Sequence, residues 1–168
     1  MFAVFEALLV LGLGAQGCLG RCDSVIDCLT TSGVPQALPG TAEFATSSSP
    51  HNVRLRFTPL AIAVPSTVPQ VQAAVTCGRK HGVKVNARSG GHNYASHGIG
   101  GEDGHLVIDL KLLNQVAVDS STQVATVGPG TKLGNLALAL DAQGNRAIPH
   151  GVCPKYNSSP SPKQWHEC

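Results

Sequence analysis

Apolar and polar positions along the chain follow two periods. From Val68 to His81, the residues Val71, Ala74, Val75 and Gly78 fall at i, i+3, i+4 and i+7, the spacing of one helix face. Ser66 or Thr67 stands where an N-cap is needed and Pro69 lies in the first turn. Arg79, Lys80 and His81 gather at the end where the helix dipole favours cations, and Gly82 closes the helix. Residues 131–144, TKLGNLALALDAQG, carry a second amphipathic pattern, with Thr131 as cap and Gly144 as stop. Ser24 to Thr31 reads as a short helix capped by Ser24. The other apolar runs are short. AIAV (61–64, ended by Pro65), VKVNA (83–87), HLVIDL (105–110) and RAIP (146–149) read as strands. QVAVD and QVATV alternate on either side of Ser120-Ser121-Thr122, which predicts a β-hairpin, and Gly128-Pro129-Gly130 predicts a further turn. Residues 32–52 are rich in Ser, Thr, Gly and Pro and read as a surface loop. The resulting order is strand, helix, strand, loop, strand, hairpin, helix, strand. It predicts an α+β domain, a mixed sheet with helices packed on it. No internal repeat interrupts it.

Composition narrows the function. With 168 residues, 42% of them apolar, the chain has enough material for a core; charged residues are 13% and the net charge is +2. Arg54, Arg56, Arg79 and Lys80 occur in ones and twos, and no basic stripe could follow a phosphate backbone, which argues against nucleic acid as a partner. Residues 1–17 are predicted to be a secretory signal. The run Ala7 to Ala15 is too short to span a bilayer, and Ala15 and Gly17 form a small-x-small cleavage pattern. The signal lacks a basic start and carries Glu6, so a buried N-terminal helix is the competing reading. Six cysteines, Cys18, Cys22, Cys28, Cys77, Cys153 and Cys168, agree with an oxidising, extracellular setting but do not fix their own pairing. Asn157-Ser158-Ser159 is a glycosylation sequon. From Lys155 onward, KYNSSPSPKQWHEC has no periodicity and reads as a disordered tail.

Between the strands VKVNA and HLVIDL lies RSGGHNYASHGIGG, residues 88–101. Gly90 and Gly91 lack a Cβ, so the chain can turn sharply and let another group approach its backbone. Successive N–H groups in such a turn converge into an anion-binding nest, and Arg88 adds a positive charge beside it. The pattern is not the dinucleotide fingerprint, which needs G-x-G-x-x-G opening directly into a helix. On local chemistry alone, a tight structural turn and a phosphate site are equally good readings. His150 and Cys153 sit together in PHGVCP and, with His92, His97 and His105, offer metal-ligating atom types. No second compact pair completes a tetrahedral set, so no metal site is expected, and a disulfide is the plainer role for Cys153.

Taken together, these segments resemble the N-terminal flavin-binding part of the secreted FAD-linked oxidases. These are the berberine-bridge-like group of the vanillyl-alcohol-oxidase superfamily, whose FAD-binding domain is of the PCMH type. The resemblance is strongest to the fungal glucooligosaccharide oxidases. It is carried by CLTTSGV, PLAIAVPSTVPQVQAAVTCGRKHGVKVNARSGGHNYASHGIGG, DGHLVIDLKLLNQVAVDSSTQVATVGPGTKLGNLALAL and DAQGNRAIPHGVCP, about three quarters of the chain. The pair RSGGH with a later HGVCP is its most specific part.

The resemblance implies that Arg88, Ser89, Gly90, Gly91, His92 and Asn93 form the loop that wraps the FAD diphosphate. It implies that a ring nitrogen of His92 bonds to the flavin 8α-methyl carbon, that Cys153 sulfur bonds to flavin C6, and that Cys28 pairs with Cys77 between the first two helices. A neutral imidazole and a thiolate are the side-chain nucleophiles most available near neutral pH. It further implies oxidation of an alcohol or sugar hydroxyl, as of an oligosaccharide C1 hydroxyl to the lactone, with oxygen as acceptor. Tyr94 and His97 lie near the anchor and are expected to shape the loop; no catalytic base is assigned. The expected organisation is a signal over 1–17, an N-terminal helix and loop over 18–52, a PCMH-type FAD-binding domain over 53–154 and a divergent tail over 155–168. The family's second glycine-rich flavin loop, its substrate domain and its tyrosine base have no counterpart after Pro154. A truncated, catalytically silent member is therefore the expectation. A flavin-binding fragment without turnover and a cofactor-free, disulfide-stapled secreted module are the alternatives.

Overall fold

The run LVID, residues 106–109, is buried at every position, the pattern of a strand covered on both faces. It forms one of the two inner strands of the main sheet in the computed structural model, which describes residues 24–155. The expected signal over 1–17, Cys18, Cys22, the Asn157 sequon, Cys168 and the tail from residue 156 lie outside the described residues.

The elements in chain order are α1 (Val25–Thr31), β1 (Gln36–Ala37), α2 (Ala42–Ser47), β2 (Ala61–Ala63), α3 (Val68–Lys80), β3 (Val85–Arg88), a 3-10 turn (His97–Ile99), β4 (Leu106–Asp109), β5 (Val116–Asp119), β6 (Val124–Val127) and α4 (Leu133–Ala142). The main sheet runs β1-β2-β4-β3. β1 is antiparallel to β2; β4 is parallel to both β2 and β3, with Ile62 opposite Val107 and Arg88 opposite Asp109. The expected α+β domain with a mixed sheet is what forms.

Strand alternation divides the core. Ala61, Ala63, Leu106 and Ile108 face α1 and α3, packing with Val25, Leu29, Ala74 and Cys77. Ile62, Val64 and Val107 face the other way, against Ala37 and Phe44. A disulfide joins Cys28 of α1 to Cys77 of α3, closing a sequence separation of 49. Closing a loop of that size restricts the unfolded chain by ~4 kcal/mol in the chain-entropy account.

The caps form as expected at two helices: Ser24 Oγ accepts from Asp27 N at 3.1 Å and Thr67 Oγ1 from Gln70 N at 3.4 Å. The hairpin β5–β6 alternates half-buried and exposed positions and packs on α4 through Gln143, which bonds both the N–H of Val118 and the carbonyl of Val116.

Five expectations are corrected. Residues 32–52 are not a plain loop: they hold β1 and α2, because Thr41 caps a turn that buries Phe44 beneath the sheet. That insertion makes the disulfide join the first and third helices rather than the first two. Val75 is 47% exposed, and Cys77 takes its place on the buried face of α3. Thr131 is fully buried rather than capping α4, which begins after Lys132, and RAIP forms no strand.

Candidate functional site

Two parallel neighbours, β3 and β4, must be joined by a chain that leaves the carboxyl end of one and returns to the amino end of the other. Residues 89–104 make that return. They use turns and a 3-10 segment, because the small residues here cannot support a crossover helix. The carboxyl ends of parallel strands are where ligands collect in such sheets, and the loop begins there.

Its first turn is built on Gly91, at φ +74°. A Cβ at this position would lie 2.7 Å from Arg88 Nε and 2.8 Å from Nη2, so glycine suits the conformation and any side chain here would displace the Arg88 guanidinium. Gly90 does not adopt positive φ; Gly91 alone makes the turn that both were expected to share. Arg88 runs beneath the turn and donates to the carbonyl of Ser47 at the end of α2, so its charge is fixed below Gly91. Ser89 Oγ donates to the carbonyl of Pro129. Asn93 Oδ1 accepts from Ala95 N at 2.9 Å and His97 N at 3.2 Å, shaping the next turn.

Two clefts flank the backbone of Arg88–Gly90. One, of about 260 Å³, is lined by residues 86–93, His97 and Gly98. The other, of about 370 Å³, is lined on its far side by Asp109, Lys111, Asn114, Gly130, Lys132 and Asn135. Arg88, Lys111 and Lys132 outnumber the carboxylates of Asp109 and Glu43, 3.8 Å and 3.9 Å from Lys111, which leaves this end of the sheet mildly electropositive and suited to an anionic ligand.

His92 lies at the heart of the loop. Its Nε2 is 3.3 Å from the carbonyl of Lys155, and the preceding residue, Pro154, accepts from Gly134 N at 3.0 Å at the start of α4. The fold thus carries the segment that holds Cys153 back to His92 from far along the chain. Burial pushes the His92 pKa below the ordinary histidine value. The Lys155 carbonyl opposes that lowering, while the charges of His51, Lys132 and Arg88 add to it. The ring is therefore neutral, the form with a lone pair to donate, near neutral pH. Cys153 is itself disulfide-bonded. Among the described residues, no three His, Cys, Asp or Glu side chains come together in an arrangement that could hold a metal ion.

Three participants carried no signal in the sequence. His51, in the segment before β2, places its ring edge-on to His92 at 4.9 Å and to Tyr94 at 5.1 Å. Asn52 donates to the Tyr94 carbonyl at 2.8 Å. Asn86, inside β3, donates to the His97 carbonyl at 3.1 Å. Nothing periodic marks His51 or Asn52, and a polar residue inside a strand run is ordinarily read as its solvent face.

These features meet a known pattern. The family model described as an FAD binding domain matches residues 59–155. The chain belongs to that family. The xylooligosaccharide oxidase of Thermothelomyces thermophilus is 49% identical over 131 residues, covering 78% of this chain and 26% of that protein. The solved xylooligosaccharide oxidase of Myceliophthora thermophila C1 in complex with xylobiose superposes with a TM-score of 0.77 at 48% identity, covering 80% of this chain and 28% of that one. The glucooligosaccharide oxidase of Acremonium strictum, whose FAD is described as 6-S-cysteinyl, 8α-N1-histidyl, superposes with a TM-score of 0.78 at 39% identity, covering 81% and 28%. The chain thus spans a little over a quarter of the length of these oxidases, and the fold they share over that part is the flavin-binding one.

Proposed function

We propose that the chain supplies the cofactor-holding part of an FAD-dependent oligosaccharide oxidase, with the unit over 53–154 gripping FAD, preceded by a secretory signal over 1–17. The observation that supports it most is the joint one: a glycine-built nest at the carboxyl ends of parallel strands, with a desolvated histidine facing the returning Cys153 segment. The residues present fit the cofactor. Backbone N–H groups from Ser89 to Asn93 would hold the diphosphate, and the fixed Arg88 charge beneath Gly91 would lower the cost of bringing it there. His92 would anchor the flavin 8α-methyl carbon through its neutral ring. When bound, FAD supplies the two-electron acceptor for oxidation of a sugar hydroxyl.

Cys153 would anchor flavin C6 only as a thiolate, so the disulfide it enters must open first. That same disulfide favours a second reading, a cofactor-free module stapled by its cysteines. One experiment separates the two. The full chain is produced with FAD in a secreting host, with and without a thiol reductant, and precipitated with acid. Flavin mass on the His92 peptide is expected in both samples, and on the Cys153 peptide only after reduction. His92→Ala is expected to lose the first. Because its pKa lies below 6.5, protonation blocks His92 only at lower pH than for an ordinary histidine. Attachment should hold as pH falls through that value and drop below it. Colourless precipitate under every condition overturns the FAD reading and leaves the stapled module.

A further inference from the structure

His105 is buried at the point where the loop rejoins the sheet, 8% exposed, and both its ring nitrogens are engaged. Nδ1 meets Asn86 Oδ1 on β3, and Nε2 meets Glu102 Oε1 at 2.8 Å. The orientation of Asn86 is decided by its other bond: its Nδ2 donates to the His97 carbonyl at 3.1 Å, so its oxygen faces His105. Both partners of the imidazole are therefore acceptors, and both ring nitrogens must donate. Only the imidazolium does that.

We propose that His105, as an imidazolium, is a positioning residue for the cofactor loop, and that losing its proton loosens the loop and its grip on FAD. The second clause rests on the function proposed above. A neutral His105 keeps one N–H. If the proton stays on Nδ1, the Nε2 lone pair faces the Glu102 carboxylate and the tie to the loop opens. If it stays on Nε2, Asn86 must turn its amide and release the His97 carbonyl. Either way one of the two links holding the return limb is lost.

Lys84, just before β3, pairs with Glu102, and Glu102 is held below the usual carboxylate range first by its hydrogen bond from Lys84 and then by that from His105. Asp103 accepts from Thr58 N at 2.7 Å; the His97 carbonyl accepts from Asn86; Leu60 N donates to the His105 carbonyl. The carboxylate of Glu102 is the one charged group in hydrogen-bond contact with the ring among the described residues.

The test uses Glu102→Gln in the full chain. A glutamine amide can donate to a neutral ring or accept from a charged one, so it removes the need for the proton while leaving His105 in place. Amide exchange over residues 90–101 and FAD affinity are measured between about pH 5.5 and about pH 9, together with ¹⁵N shifts of the His105 ring. The loss of one charge-assisted bond corresponds to about tenfold. The wild type, relative to E102Q at the same pH, is expected to show about tenfold faster loop exchange and weaker FAD binding at the alkaline end, with no difference at the acidic end. Ring shifts showing both nitrogens protonated at the acidic end are part of that result. Indistinguishable profiles for wild type and E102Q, or a ring that is singly protonated throughout, overturn the proposal. The expected exchange pattern with no FAD bound by either protein supports His105 as the loop's positioning residue and overturns the cofactor reading instead. E102Q is expected to fold, because the Glu102 side chain is half exposed and its ion pair with Lys84 is a surface one.

Discussion

Strand β4 and the loop that leads into it are neighbours in sequence and opposites in physics. β4 is held by burial: Leu106, Val107 and Ile108 are each at most 2% exposed and touch apolar residues on both faces of the sheet. The loop buries only Ile99, Ser96 and, at its end, His105; its shape comes from directed polar contacts and from glycines at positive φ, Gly91, Gly100, Gly101 and Gly104. Ser96 sits at φ +57° with its Oγ bonded to the Leu55 carbonyl at 2.8 Å, and Asn93, Asn86 and Arg88 each tie a separate turn. Burial is non-directional and tolerates substitutions of similar volume, whereas a directed bond fails when one partner moves. Stability and function should therefore separate between the two regions.

The comparison breaks most severely in the strand. Leu106→Ala removes a fully buried side chain from between α1 and α3 and should cost ~3 kcal/mol of folding stability by denaturant titration. Flavin incorporation by the fraction that remains folded should be unchanged. A loss of incorporation in that fraction would mean that the strand shapes the site directly. In the loop, Gly91→Ala should cost only ~1–2 kcal/mol for its left-handed conformation, yet abolish FAD binding, since the added methyl displaces Arg88 from beneath the nest. Retained binding would remove the nest from the site.

The smallest effect belongs to a turn outside both regions. Asp119 accepts from Ser121 Oγ and N and from Thr122 N across the β5–β6 turn, which hold its pKa down to about 2. Its folded pKa lies below its unfolded one, so its contribution is present above the ordinary aspartate range and is lost as pH falls through about 2. A carboxyl titration by NMR should find that midpoint; an ordinary aspartate value would mean that the turn is open in solution.

Much of this was legible in the sequence because it is local. The i, i+3, i+4 spacing of α3, the caps at Ser24 and Thr67, the alternation of β5 and β6 and the glycines after Ser89 all depend on neighbours within a few residues, and each formed nearly as read. The resemblance that rests on RSGGH and HGVCP was legible for the same reason. α2 was missed because its single turn and a half is stabilised by Phe44 lying under a sheet that no local window contains. Val75 is exposed because the inward face of α3 is centred on Ala74, Cys77 and Gly78, still at i, i+3 and i+4, with Cys77 tied to α1 by the disulfide.

The sequence by itself determined the periods, the caps, the glycines of the loop and the chemical types available at the site, since these are properties of short stretches of backbone. Only the tertiary structure decided that Lys155 would reach His92, that His51 would lie against its ring, and that Asn86 and Glu102 would both accept from His105. Those contacts join residues brought together by the parallel pairing of β3 with β4 and the packing of α4. A hydrogen bond's donors and acceptors can be counted only once its partners are in place.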